Sequence, residues 1–471
     1  MAEALERASW TRAKAIKGTT DAHRKAYAQH LTPPETARLA ASMFSEQPSN
    51  RPFVSCLDLG GGTGMLSVAL IERYEGRVSR MDTIEMDQAL AEVFEREVRP
   101  LSAGETIIGD AITTYLPRRY DRIILNPPYG KMAASDPRQN ILPTRSPNLY
   151  TAFMLVGLSL LADEGEMVAI VPRSWTNGDY FKPFRRFVLS NYSIDALHLY
   201  GSRSEVFADT SVLQETMLVR LSKRSQSPTI RVSQSPNKGD VPTVNEWAYD
   251  DIVVGTDLVV RAEPSQDGNL SNTIEGLGLC PSTGKVVDFR CRDRTYAVRP
   301  EGRHTVPLVY VGNLRGGTLT HPRGDLGKPQ WFADDDDWGK AQLMPLGSFV
   351  VVKRFSSKEE PRRVVAYPLD VDEPLTLENH STFIHAGRPR NVVPLRSPDL
   401  ARGIAMWLNT TFIDEWFRGV SGSTQVNARD IRQMPCPTLE ELEELGKSWS
   451  VGMTQEQIDK QCEGFTKGTV R

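Results

Sequence analysis

The residues best suited to chemistry stand together at Asn126-Pro127-Pro128-Tyr129, directly after the apolar run Arg122-Ile-Ile-Leu125. An exocyclic amino group on an aromatic ring is a poor nucleophile, because its lone pair is delocalised into the ring. Two acceptors aimed at its hydrogens favour a pyramidal nitrogen and disperse the charge that develops during attack. The side-chain oxygen of Asn126 and the main-chain carbonyl of Pro127 are suited to that task. Consecutive prolines fix φ and stiffen the loop. Tyr129 offers an aromatic face for stacking a flat ring. The chemistry needs no nucleophilic side chain and no metal, since positioning supplies much of the catalysis. The bland alternative is a proline-rich turn capping a strand, and the motifs upstream weigh against it.

Those motifs begin at Asp58-Leu-Gly60-Gly-Gly62-Thr-Gly64. Glycines at a strand-to-helix turn let a ligand approach the backbone and the helix N-terminus. Alone, such a loop also fits a dinucleotide, a phosphate or a simple tight turn. Thr83-Ile-Glu85-Met-Asp87 then places a carboxylate at the end of the next strand, where it can accept from ribose hydroxyls. Gly109-Asp110 follows a third strand, and its carboxylate can accept from an amino group. Acids placed just beyond successive strands line one crevice at the carboxyl edge of a sheet. The joint pattern is far more specific than any one member.

Positioning these groups requires alternating strands and helices. Phe53 to Leu59, Arg80 to Glu85, Thr106 to Ile108, Arg122 to Leu125, Glu166 to Val171, Ile194 to Tyr200 and Thr216 to Leu221 read as strands. Gly64 to Tyr74, Gln88 to Val98, Leu149 to Leu161 and Tyr180 to Ser190 read as helices. The alternation predicts an α/β fold with a doubly wound, Rossmann-like sheet over residues 1–225. Ser222 to Val241, rich in Ser, Pro, Lys and Asn, reads as a linker. Short β-like runs (Thr305 to Tyr310, Ser348 to Val352, Val364 to Tyr367) and a helical stretch from Asp399 to Arg418 predict a mixed α+β domain over 240–437. Thr438 to Lys447 reads as an acidic, peripheral helix in a tail over 438–471.

Composition sets the outer bounds. The chain has 471 residues, 39% of them hydrophobic and 24% charged, which exceeds one ordinary core and suggests two domains. No apolar run is long enough to span a bilayer, so no membrane partner is expected. Five cysteines (Cys56, Cys280, Cys291, Cys436, Cys462) lack any CxxC pairing, which fits a reducing cytoplasm and no metal site. The formal net charge of −3 does not advertise nucleic-acid binding, although a cleft can be basic while the rest is acidic.

In the order of its motifs the sequence resembles the γ-class N6-adenine DNA methyltransferases, the TaqI-like and PstI-like modification enzymes. The resemblance implies a class I methyltransferase sheet followed by a target-recognition domain. It also implies S-adenosylmethionine as cofactor, double-stranded DNA as partner and a prokaryotic restriction-modification setting. Leu31-Thr32-Pro-Pro-Glu35 resembles the segment that closes over the cofactor, with Thr32 as a contact. Asp58, Gly60 and Gly62 match the first motif, Glu85 the ribose ligand and Asp110 the adenine ligand. Phe153, in Asn148-Leu-Tyr-Thr-Ala-Phe153, would border the cofactor. Phe207, in Ser204-Glu-Val-Phe207, would sandwich a flipped adenine with Tyr129. Ser282 to Arg290, Glu378-Asn-His380 and Gly422 to Arg429 resemble the PstI-like branch. Lys353, Arg354, Lys358, Arg362 and Arg363 form a local basic cluster suited to phosphates, or a solvated charged surface. Thr424, Gln425 and Asn427 could read base edges or merely form a turn. Enzymes that methylate an RNA base or a protein glutamine use the same tetrad, but usually lack a large domain after the catalytic half. A non-catalytic DNA specificity subunit is disfavoured by the intact motifs. No Glu-x-Lys occurs in the chain, so a cognate endonuclease would be a separate protein.

Overall fold

The two central strands explain the sheet. Val54–Leu59 (β1) and Tyr120–Leu125 (β4) are buried over nearly their whole length. Such runs suit a parallel sheet covered on both faces. In the computed structural model, residues 2–18, 31–46, 52–200, 216–236, 239–255, 258–264, 270, 272–357, 359–421 and 424–466 are described. The chain divides into two compact units, Met1–Pro264 and Ser265–Arg471.

The first unit holds a nine-stranded sheet in the order β3-β2-β1-β4-β5-β7-β6-β8-β9. Its other strands are Val78–Glu85 (β2), Thr106–Ile108 (β3), Leu161–Pro172 (β5), Ser193–Tyr200 (β6), Thr216–Ser222 (β7), Thr229–Ser235 (β8) and Thr243–Ala248 (β9). β1 to β5 run parallel, and β7 is wedged antiparallel between β5 and β6. The chain order reverses between β1 and β4, which opens the crevice where α/β sheets bind ligands.

Alternate residues of the strands feed two cores. Leu57, Leu59, Ile123 and Leu125 face the helices Leu149–Ser159 and Lys182–Asn191. Cys56, Ile124, Val168 and Ile170 face the opposite layer. That layer comprises Ala2–Gly18 (α1), Pro34–Ser42 (α2), Met65–Tyr74 (α3) and Gln88–Val98 (α4).

Two sequence expectations are corrected here. The stretch read as a linker from Ser222 to Val241 contains β8, which pairs parallel with β6, and β9 pairs antiparallel with β8. The first unit therefore runs past residue 225 to Pro264. Ile230 and Val232 are buried while Arg231 between them faces outward. A short strand next to the sheet edge, with only some of its residues buried, has too few apolar residues to stand out from a polar loop.

The second unit has a four-stranded antiparallel sheet. Its order is Cys280–Thr283, Ser381–His385, Gly347–Lys353 and Ala366–Val371. A smaller sheet joins Thr295–Tyr296, Trp331–Ala333, Thr305–Val309 and Thr376–Leu377. The acidic helix Leu439–Lys447 is part of this unit's core, not peripheral, because Leu442 and Leu445 are buried. It packs on Pro398–Leu408 at glycines. A β-carbon on Gly403 would sit 1.6 Å from the Leu442 carbonyl oxygen, and one on Gly446 1.7 Å from that of Asp399. All five cysteines are buried and unpaired. Among the described residues no helix is long and apolar enough to cross a membrane.

Candidate active site

β1 ends in the glycine loop, which turns through positive φ at Gly60 (80°), Gly62 (54°) and Gly64 (81°) before α3 begins. L-residues with a β-carbon adopt that region poorly. Space is also short, since a β-carbon on Gly61 would lie 2.4 Å from Thr83 Oγ1 and 2.7 Å from the Phe94 ring. The turn is thus fixed by both conformation and packing.

Three carboxylates surround it. Asp58 is fully buried; its Oδ2 accepts from Ser67 Oγ at 2.7 Å, while Oδ1 has no hydrogen-bond partner among the described residues. Burial pushes its carboxyl up to about 7; the Ser67 bond opposes this and the Glu85 charge adds to it. Glu85, at the end of β2, accepts from the Gly62 N–H through Oε2 and from the Asp87 N–H through Oε1, each at 2.9 Å. Burial raises its pKa as well. Each oxygen keeps a second lone pair for a ligand hydroxyl. Asp110, beyond β3, accepts from the Ile112 N–H at 2.8 Å and from Arg138 Nη1 at 3.0 Å. Arg138 also pairs with Asp136 at 2.7 Å. It was not singled out from the sequence, where nothing in the stretch after Tyr129 marks it.

β4 is the parallel neighbour of β1, with Asp58 opposite Ile124, so the loops after both strands leave the same edge. Asn126 donates through Nδ2 to Thr32 Oγ1 at 3.0 Å. The Tyr129 hydroxyl lies 3.4 Å from Asn126 Oδ1 and 3.3 Å from the Ile170 carbonyl, and can donate to either. Burial pushes the Tyr129 pKa far up, which keeps the phenol a neutral donor. Its ring meets Tyr150 edge-on, with centroids 6.2 Å apart. Pro127 is buried and Pro128 half-buried, so the loop cannot relax outward.

The remaining expected cofactor residues are near the same loop. Phe153 borders Gly60, 3.7 Å from where a β-carbon would stand. Thr32 is buried, and Leu31 beside it approaches Gly62 within 3.5 Å of the same kind of point. The Leu31 carbonyl accepts from Arg12 Nε of α1 at 3.0 Å. Phe207 and Lys358 lie outside the described residues.

In the second unit the basic cluster divides. Arg363 is fully buried, donates to Ser356 Oγ and stacks on Phe417 at 4.9 Å. Being fully buried, Arg363 offers no exposed cation to a phosphate, against the expectation from the sequence. Arg362 is half-buried and donates to Gln455 and to the Thr410 carbonyl. Lys353 pairs with Glu360. Arg354 donates to the Asn379 carbonyl at 3.1 Å and lies 3.4 Å from Gln425 Oε1. It also sits over Phe355, whose ring stacks with His380 at 4.8 Å. Thr424 is exposed, and Asn427 caps the helix Ala428–Arg432 through a reciprocal bond with Asp430.

A glycine turn at the switch point, acids at the ends of β1, β2 and β3, and an Asn-Pro-Pro-Tyr loop beside them define a class I methyltransferase. The Eco57I restriction-modification methylase family matches residues 72–207. The chain is 31% identical to the Type II methyltransferase M.BsuBI of Bacillus subtilis over 92% of this chain and 93% of that relative. It is 34% identical to the Type II methyltransferase M.PstI of Providencia stuartii over 74% of this chain and 71% of that relative. The chain belongs to the type II methyltransferases of restriction-modification systems. The Type IIL restriction-modification enzyme MmeI, solved in complex with DNA, shares the fold. Its TM-score is 0.55 at 12% identity, over 99% of this chain and 74% of that chain.

Proposed function

We propose that this chain is a site-specific DNA methyltransferase that moves a methyl group from S-adenosylmethionine to N6 of an adenine rotated out of the duplex. One observation carries the reading: Asn126 stands beside the glycine loop with its amide already oriented by hydrogen bonds. Family membership and the large second unit support DNA as the substrate. The acceptor chemistry of Asn126 and Pro127 supports an amino group as the target.

The residues around the loop fit the cofactor. Asp58 Oδ1 is a buried acceptor with no hydrogen-bond partner among the described residues, which suits a cationic or N–H donor. Glu85 is held by two backbone N–H groups and can still accept from a ribose diol. Asp110 can accept from an amino group, sharing its carboxylate with Arg138. When bound, the cofactor supplies an electrophilic methyl group on a sulfonium. Asn126 Oδ1 and the Pro127 carbonyl accept from the adenine amino hydrogens and stabilise charge developing on N6. Tyr129 presents a ring for the base to stack on, with its hydroxyl beside Asn126 Oδ1 and the Ile170 carbonyl. Arg354, Gln425 and His380, gathered around Phe355, are the groups we assign to DNA contact in the second unit.

Asn126→Ala removes one acceptor that matters most in the transition state. Its single-turnover rate should fall roughly a hundredfold or more, with cofactor and DNA affinities nearly kept. The assay follows labelled methyl into duplex DNA and identifies the modified base. Wild-type rates in the variant would remove Asn126 from the mechanism. Methyl recovered on cytosine, RNA or protein glutamine would overturn the substrate.

A further inference from the structure

We infer that Thr32 is a positioning residue for Asn126. The inference rests on the function just proposed, and it differs from a role for Thr32 in holding the cofactor. An asparagine amide has nearly the same shape when flipped, but a flip would set an N–H₂ against the target's N–H₂. Oδ1 must face the substrate, and something in the protein has to hold it there.

The Thr32 hydroxyl accepts from Asn126 Nδ2 at 3.0 Å, with Thr32 itself 5% exposed. A buried hydroxyl has little water competing for that bond. Engaging Nδ2 also polarises the amide, which makes Oδ1 a stronger acceptor. Tyr129 lies on the Oδ1 side, so the two hydroxyls bracket the amide.

Thr32 is in turn placed from outside the sheet. Arg12 of α1 holds the Leu31 carbonyl at 3.0 Å. α1 is fastened to α4 by Arg7 and Thr11, both bonded to the buried Glu97 at 2.9 and 3.2 Å. Pro33 follows Thr32 with φ −67°, which stiffens the approach to α2. The segment before the sheet thus orients a side chain 94 residues further along the chain.

The test uses the full chain with Thr32→Val, which keeps the shape and loses the acceptor, and with Thr32→Ser, which keeps the acceptor. Thr32→Val should slow single-turnover transfer about three- to tenfold, the range for one lost hydrogen bond. Cofactor and DNA dissociation constants should stay at wild-type values, and Thr32→Ser should restore the rate. In an Asn126→Ala background, Thr32→Val should add almost nothing. A weakened cofactor affinity with an unchanged transfer rate would return Thr32 to the cofactor. A full additive effect in the Asn126→Ala background would also overturn the inference. If wild type transfers no methyl to DNA adenine, the parent reading fails; if it does and Thr32→Val matches it, only the present inference fails.

Discussion

Asp58 is the residue where burial and charge conflict most directly. Its carboxyl is pushed up to about 7, chiefly by burial, against an ordinary value near 3.8. A folded-state pKa above the unfolded one means the fold favours the protonated form. That contribution to stability is complete below the unfolded pKa and is lost as pH rises through about 7. A cationic ligand at Oδ1 favours the ionised form instead. Under the proposed function, cofactor affinity should therefore rise with pH up to about 7 and then level off. Asp58→Asn should flatten that profile and bind more weakly at pH 8. Calorimetric titrations between pH 5 and 8 check this, and a wild-type affinity that falls as pH rises to 7 would contradict it. Glu85 does a second task that its position alone does not suggest, because it latches the glycine loop through the Gly62 N–H.

Among the elements, two helices of the second unit show how one substitution can take opposite signs. Gly403 lies in Pro398–Leu408 where a β-carbon would collide with the Leu442 carbonyl. Gly464 lies in Gln455–Thr466 with nothing within 4 Å of the same point. Alanine improves helix propensity by about 1 kcal/mol where space is open. Overpacking a close helix contact costs typically 1–3 kcal/mol or more. Gly464→Ala should thus raise the denaturation midpoint of the chain, and Gly403→Ala should lower it. Urea unfolding followed by tryptophan fluorescence separates the two, since Trp407 is buried beside this contact. Equal midpoints for both variants would mean that the helices are not held at glycine distance.

At the scale of the whole molecule the boundary between units makes a prediction. A fragment ending at residue 225 would lack β8 and β9 and bare the outer edge of β6. Exposed edges pair with other chains. It would also remove Ile230, Val232, Ile252 and Val260 from the first unit's core. Residues 1–264 should therefore be monomeric by size exclusion and retain cofactor binding, while 1–225 should aggregate or unfold at lower temperature. A 1–225 fragment as stable as 1–264 would show that the last two strands are appended rather than integral. Neither fragment should bind specific DNA if recognition belongs to the second unit.

Taken alone, the sequence determined what depends on neighbours in the chain. The glycine turn, Glu85, Asp110 and Asn126-Pro127-Pro128-Tyr129 are local signals, because each needs only a strand end and the next few residues. Strands buried on both faces, such as β1 and β4, are legible as continuous apolar runs. What the sequence left open was anything requiring distant segments to meet. Arg363 looked like a surface cation beside Arg362, and only the packing of Phe417 over it made it an interior residue. β8 was hidden because, one strand in from the sheet edge, it buries only two apolar side chains, Ile230 and Val232. The partnership of Thr32 with Asn126, and of Arg138 with Asp110, joins residues 94 and 28 positions apart. A hydrogen bond requires donor and acceptor within about 3 Å, and no local spacing encodes that approach. For Thr32 and Asn126 it is fixed by α1, α2 and the sheet together, and for Arg138 and Asp110 by the loops beyond β4 and β3, which only the tertiary structure decides.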